Sequence, residues 1–364
     1  MANFYKPLNQ QNDVINTRTL LHEAIPLTGT IVSGTYNEEN IKNYTHDMFS
    51  SVYDYPYLSS SANHIFDITA GYHAISSLSA STATSNSKRI NVYNQMAQVL
   101  MGYDQNGNIL KFDEDGDLLA GGKKQQEMFF LNFSRLLVKD EIKKGSFQLE
   151  LGIKSAYDEA GAVFQERIKI TDASGSNGYL VNSPVGEYGI LYATGSVGTN
   201  VLAANQSYPV GLLFYQAGVA AVSASVFASS VSGGILNTTI KSTDLVLNSG
   251  MHGFKAITGS TMSTFGQKIR NRIYNVQFNN TVELNSTVYF CRVNHNDFNY
   301  SSNPTYLSQS KMRVKTNSTD LPVSYITAVG LYSDNNELLA TSKLSEPLKK
   351  TPDTEFTIRV RLDY

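Results

Sequence analysis

Three groups of side chains have the types and spacing to do chemistry. His64, Asp67 and His73 place two imidazoles and a carboxylate near one another, which are ligand types a transition metal accepts. Ile65, Phe66, Ile68 and Ala70 intervene, so the segment reads as a strand and turn with hydrogen-bonded polar groups. The run Asp113-Glu114-Asp115-Gly116-Asp117 gathers the oxygens calcium requires. An EF-hand loop has glycine at position six and glutamate at position twelve. Counted from Asp113 those places hold Leu118 and Lys124, and counted from Asp104 they hold Ile109 and Asp115. The run therefore reads as a solvated hairpin turn. In the polar stretch Asn294 to Pro304, His295 and Asp297 could transfer protons. The surrounding asparagines are poor acids and good loop staples, so an ordered, self-bonded loop is expected.

Motifs with fixed local geometry are missing. No stretch matches G-x-S-x-G, G-x-G-x-x-G or H-E-x-x-H. Gly121-Gly122-Lys123-Lys124 lacks both the upstream glycine and the Ser or Thr of a phosphate-binding loop. The single cysteine, Cys291, excludes an intramolecular disulfide and a multi-thiolate metal site. No catalytic, cofactor-binding or metal residue is assigned, and the chain reads as a non-enzyme without a cofactor.

The elements that would position these groups can be read from pattern. The length of 364 residues implies two or three domains. Charged residues make up only 16%, against about a quarter in an average soluble domain. With 29 Lys and Arg against 31 Asp and Glu the net charge is -2, so nucleic acid is not expected as a primary partner. Met1 to Gln11 has no apolar core of a secretory signal.

Helical spacing predicts helices over Asn37–Tyr53 (Ile41, Tyr44, Met48, Phe49, Val52), Lys88–Met101 (Ile90, Tyr93, Ala97, Leu100, stopped by Gly102) and Lys124–Lys139 (Phe129, Phe133, Leu136, Leu137). Asn106-Gly107 and Asp115-Gly116 predict an inserted hairpin near 103–122. Phe147, Leu149 and Leu151 alternate as in a strand, and the chain beyond is mostly sheet. The expected class is α+β, predominantly β: a mixed domain over 1–175, a charge-poor β-rich segment over 176–262, and a C-terminal antiparallel β-sandwich over 263–364.

Tyr188 to Ile240 contains no Asp, Glu, Lys, Arg or His. Gln216, Gly218 and Gly233-Gly234 interrupt its most apolar window, so short strands joined by glycine turns are expected and no transmembrane segment. A charge-free surface this long needs cover. Leu212, Leu213, Phe214, Tyr215, Val219, Val222, Val226 and Phe227 are the candidate subunit-interface residues, with an ordinary internal core as the competing reading.

The segment Tyr325-Ile326-Thr327-Ala328-Val329-Gly330-Leu331-Tyr332, followed after Ser333-Asp334-Asn335-Asn336 by Glu337-Leu338-Leu339-Ala340, resembles the I-T-x-V-G-L-Y-x-x-x-x-E-L-L-A hairpin of tailed-bacteriophage virion proteins. Lys343 to Lys350 continues it. Cys291 to Tyr306 and Lys139 to Phe147 are similar to other parts of structural proteins from large contractile-tailed phages of marine and cyanobacterial hosts. The resemblance implies a late virion component made in the host bacterial cytoplasm and placed at or near the tail baseplate. Its partners would be further copies of itself and other virion proteins. The alternatives are a receptor- or glycan-binding tail module and a neck or head protein. No short-period shaft repeat is visible, which weighs against a receptor-binding fibre.

Overall fold

A computed structural model describes residues 5–26, 40–80, 86–114, 124–133, 140–153, 162–198, 201–203, 207–230, 234–237, 261–299, 307–308, 311–312, 319 and 322–364. The strands begin with β1 (Val14–Pro26), β2 (Ile41–Asn43), β3 (Ser50–Tyr53), β4 (His64–Tyr72), β5 (Phe112–Asp113), β6 (Lys124–Gln125) and β7 (Glu127–Asn132). They continue with β8 (Glu141–Ile142), β9 (Gln148–Gly152), β10 (Arg167–Thr171), β11 (Leu180–Ser183), β12 (Gly186–Val197), β13 (Tyr208–Phe214) and β14 (Val219–Ser223). The last are β15 (Ile273–Val293), β16 (Leu307–Ser308), β17 (Lys311–Met312), β18 (Ser324–Tyr332), β19 (Leu338–Lys350) and β20 (Phe356–Asp363). The longer helices are α1 (Asn86–Leu100) and α2 (Met262–Arg272). The class is α+β and predominantly β, as expected.

Two compact units divide the chain: Leu21–Val282, and Met1–Leu20 with Glu283–Tyr364. The cuts fall inside β1 and β15. They do not follow the expected divisions at 175 and 262, because β7 pairs with β14 and β10 pairs with β12 across the first of these.

In the larger unit the strand order runs β15, β9, β10, β12, β13, β14, β7, β4, β3, β2. The central strands are buried on both faces. Phe129 and Leu131 of β7, Leu213 of β13 and Ala220 and Val222 of β14 enter one core, which α2 closes with Met262, Phe265 and Ile269. Their neighbours Met128, Phe130, Leu212, Phe214, Val219 and Ala221 enter a second core with Val92, Tyr93, Ala97 and Leu100 of α1. A strand covered on both faces has no position for a charge, which explains much of the uncharged stretch.

Helix α1 forms where the spacing predicts it, and Gly102 ends it with φ of +82°, a left-handed cap that glycine adopts without strain. Its close seating depends on Gly71 of β4, where an added Cβ would lie 2.5 Å from the Arg89 carbonyl oxygen and 2.6 Å from the Tyr93 nitrogen.

The other two expected helices are strands. Within Asn37–Tyr53 the described residues form the β2–β3 hairpin, turning near Asp47 with φ of +56°, and 37–39 lie outside the described residues. Lys124–Lys139 begins with β6 and β7, and 134–139 lie outside the described residues. The insertion does start as a hairpin: Tyr103 bridges Ile109, and the Asp104 carboxylate accepts from the Asn106 and Asn108 amides at 2.9 and 2.7 Å. Its second expected turn, within 115–123, lies outside the described residues.

Helix α2 carries buried cations at Lys268, Arg270 and Arg272. Arg272 Nη1 donates to the Gly152 carbonyl at 2.9 Å. Burial lowers the Lys268 ammonium pKa to about 8, and the neighbouring Arg272 charge acts in the same direction. A lysine depressed from 10.5 opposes folding fully below its folded value, and that opposition fades as pH rises toward its unfolded value. Stability should therefore rise between about pH 8 and pH 10, and Lys268→Met should flatten the rise. Urea midpoints at about pH 7.5 and 9.5 check this, and identical pH dependence in the two proteins would contradict it.

In the smaller unit, β15 pairs with β20 from Ser286↔Asp363 to Val293↔Phe356. The Phe290 amide donates to the Asp13 carbonyl at 2.8 Å, and Thr287 Oγ1 donates to Asn16 Oδ1 at 2.7 Å. Burial alternates along the last strand: Phe356, Ile358, Val360 and Leu362 are covered, while Thr357, Arg359, Arg361 and Asp363 are exposed. Among the described residues, this strand group, the β18–β19 ribbon and the short β16–β17 pair are not hydrogen-bonded to one another. Among them only Val288, Val293 and Val360 are buried hydrophobics.

Candidate functional site

The eight candidate interface residues are all interior to the single chain. Leu213, Tyr215, Val222, Val226 and Phe227 belong to the first core, and Leu212, Phe214 and Val219 to the second. This corrects the expectation of a docking surface there, because the cover comes from the chain's own helices and strands.

The chemically suggestive groups are also spoken for. His64 Nε2 and Asp67 Oδ1 are 2.7 Å apart, and Ser51 Oγ donates to the same carboxylate oxygen at 2.5 Å. His73 Nδ1 instead accepts from the Ile75 amide at 3.2 Å. Asp113 is buried and ion-paired with Lys124. Among the described residues no group of three His, Cys, Asp or Glu side chains converges as a metal would require.

One buried polar cluster went unrecognised in the sequence. Asp172 accepts from the Gly145 amide at 2.7 Å, the Phe147 amide at 2.9 Å and the Tyr215 hydroxyl at 3.0 Å. Burial raises the Asp172 pKa, and these donors partly offset the rise. The hydroxyl fits a slot made by two glycines, since a Cβ on Gly175 or Gly189 would fall 2.2 or 2.1 Å from it. Beside it, Lys144 pairs with Glu141 at 3.1 Å and with Glu187. Burial lowers the Lys144 pKa, but the hydrogen bonds to both glutamates carry it above the ordinary value. The Lys144 ammonium also lies over the Tyr179 and Tyr215 rings, at 4.8 and 5.5 Å from their centroids. With Asp172 and Tyr215 fully buried, the cluster ties four chain segments together. An open pocket of about 390 Å³ alongside is lined by Lys143 to Ser146 and Gln277 to Asn279.

The exposed feature with a distinctive character is the β18–β19 ribbon. The polar loop expected over Asn294–Pro304 anchors its base, although 300–304 lie outside the described residues. Ser324 Oγ donates to the Phe298 carbonyl at 2.5 Å. The Lys350 ammonium donates to the carbonyls of His295 and Thr351 at 3.0 and 2.7 Å and to Asn299 Oδ1 at 2.7 Å. His295 Nδ1 is 3.0 Å from the Glu355 carboxylate, and Asp297 is paired with Lys6. At the tip, the Asn336 amide donates to the Ser333 carbonyl at 3.0 Å, and Asn336 has φ of +63°.

The ribbon's two strands differ in composition. β18 contains no charged residue and no proline, whereas β19 carries Lys343, Glu346, Pro347 and Lys349. Tyr325, Tyr332 and Leu348 are exposed, and Leu338 and Leu339 reach 54% and 69% exposure. Among the described residues β18 pairs with β19 alone. Compared with known proteins, the chain matches no family model, no curated protein and no solved structure.

Proposed function

We propose that this chain is a structural subunit of a tailed-phage virion, built into the tail at or near the baseplate and held there by contacts with other virion proteins. The observation that carries the reading is the exposed β18–β19 ribbon. It spans Tyr325 to Ala340, the residues that resemble the phage virion hairpin, and it displays tyrosine and leucine side chains to the outside. Exposed aromatic and aliphatic anchors on a thinly cored unit suit a partner surface. The buried clusters tie the fold together and do no chemistry in this reading. No helix among the described residues is long and apolar enough to cross a membrane.

Mass spectrometry of purified particles tests the proposal. The chain should be recovered from virions of the phage that encodes it, and immunogold labelling should mark the tail. Abundance in infected cells with absence from particles would overturn the reading.

A further inference from the structure

We infer that β18 is the seam of a two-fold homodimer, in which the edge of one copy's β18 that no described strand pairs hydrogen-bonds antiparallel to the β18 of a second copy. The inference deepens the assembly reading above and rests on it for its biological setting.

The two ribbon edges are not equivalent. Edge strands that must stay single carry lysines, inserted charges or proline. β19 has all three, at Lys343, Glu346, Pro347 and Lys349, and its pairing with β18 skips from Leu348 to Lys343. β18 reads Ser-Tyr-Ile-Thr-Ala-Val-Gly-Leu-Tyr, without any of these guards. A lone two-stranded ribbon is at best marginally stable in water, and a third and fourth strand relieve that. Pairing two β18 edges gives the order β19, β18, β18, β19. Both outer edges are then the guarded ones, so the assembly closes at two copies and does not grow into a fibre.

Charge selects the orientation and points to a second copy as the occupant. The tip carries Asp334 and Glu337, while Lys349 lies at the base opposite Tyr325. Antiparallel pairing brings each acidic tip toward the other copy's lysine-bearing base, whereas parallel pairing would set the two acidic tips side by side. With the two-fold axis at Ala328, Tyr325 of each copy stands opposite Leu331 of the other, so an aromatic and an aliphatic side chain meet across the seam.

Sedimentation equilibrium on the intact chain tests this. A concentration-dependent dimer is expected. Ala328→Lys sets two lysines directly opposed at the axis and should weaken the dimer at least about tenfold. Ser342→Lys puts the same charge on the exposed, guarded strand and should leave the dimer unchanged. Far-UV circular dichroism should match the parent for both.

A cross-link provides a second readout in case Ala328→Lys misfolds. In a Cys291→Ser background, Ala328→Cys should form a disulfide-linked dimer under mild oxidation and Ser342→Cys should not, because directly opposed residues in an antiparallel pair come within disulfide reach. A monomer at every concentration, a dimer indifferent to Ala328→Lys, or equal cross-linking at 328 and 342 would overturn the inference. A chain that enters particles yet stays monomeric would remove the dimer and leave the virion reading standing. A dimer absent from particles would do the reverse.

Discussion

A chain carrying Leu213→Asp is expected to show no cooperative melting transition and no native circular dichroism in isolation. Leu213 is fully buried in the first core, on a strand flanked by β12 and β14. Removing a buried leucine side chain costs about 2–5 kcal/mol. Placing an unpaired carboxylate in the same apolar space costs several more. The sum rivals the whole stability of a typical domain, about 5–15 kcal/mol. Val222→Asp, in the same core, should behave alike. A folded monomer from either variant would return these residues to the surface and revive the interface reading of β13 and β14.

The second large effect is expected at Gly71. An alanine Cβ there would meet the Arg89 carbonyl oxygen and the Tyr93 nitrogen, both backbone atoms of α1. Neither can swing aside as a side chain could, so the helix must lift from β4. Val92, Tyr93, Ala97 and Leu100 would then lose their fit against Phe112 and Phe130. Overpacking of this kind costs about 1–3 kcal/mol, and the rigid neighbours put Gly71→Ala at the upper end or beyond. Gly107→Ala is the comparison: its site is open but has φ of +80°, so only backbone strain of about 1–2 kcal/mol is expected. Equal losses of melting temperature in the two variants would contradict the account of how α1 is seated.

The pattern of legible and illegible elements follows from burial. Helix α1 has one buried face and a glycine stop, so its spacing and its end both show in the sequence. β20 has one covered face, and its alternation is equally plain. β7 is covered on both sides, so Met128-Phe129-Phe130-Leu131 is a continuous apolar run, which periodicity alone cannot assign to strand or helix. In β2 and β3, Ile41 and Val52 face each other across a hairpin, and their spacing along the chain happened to imitate a helical stripe. In the described part of the uncharged stretch the strands are legible, but the choice between docking surface and internal core is not, because nothing local shows that α1 and α2 cover opposite sides of one sheet. The Asp172 cluster was invisible for a related reason: its members come from four separate segments that only the folded sheet brings together. The self-bonding of the polar loop is legible in its described part, 294–299, but its role as the ribbon's anchor depends on Ser324 and Lys350, which lie beyond it in sequence.

The strand order has a consequence for synthesis. β7 sits between β4 and β14, yet β14 leaves the ribosome only after the 133–218 stretch has been made. β15, which flanks β9, emerges later still. Until then a growing chain holds β7 with one edge open, and Phe129 faces a core that α2 closes only later. Non-local pairings of this kind make folding slow and expose nascent chains to aggregation. Recombinant yield of soluble protein should therefore improve with slower translation at low temperature or with added chaperones. Fragments truncated before 219 should accumulate in inclusion bodies, however well their local elements form.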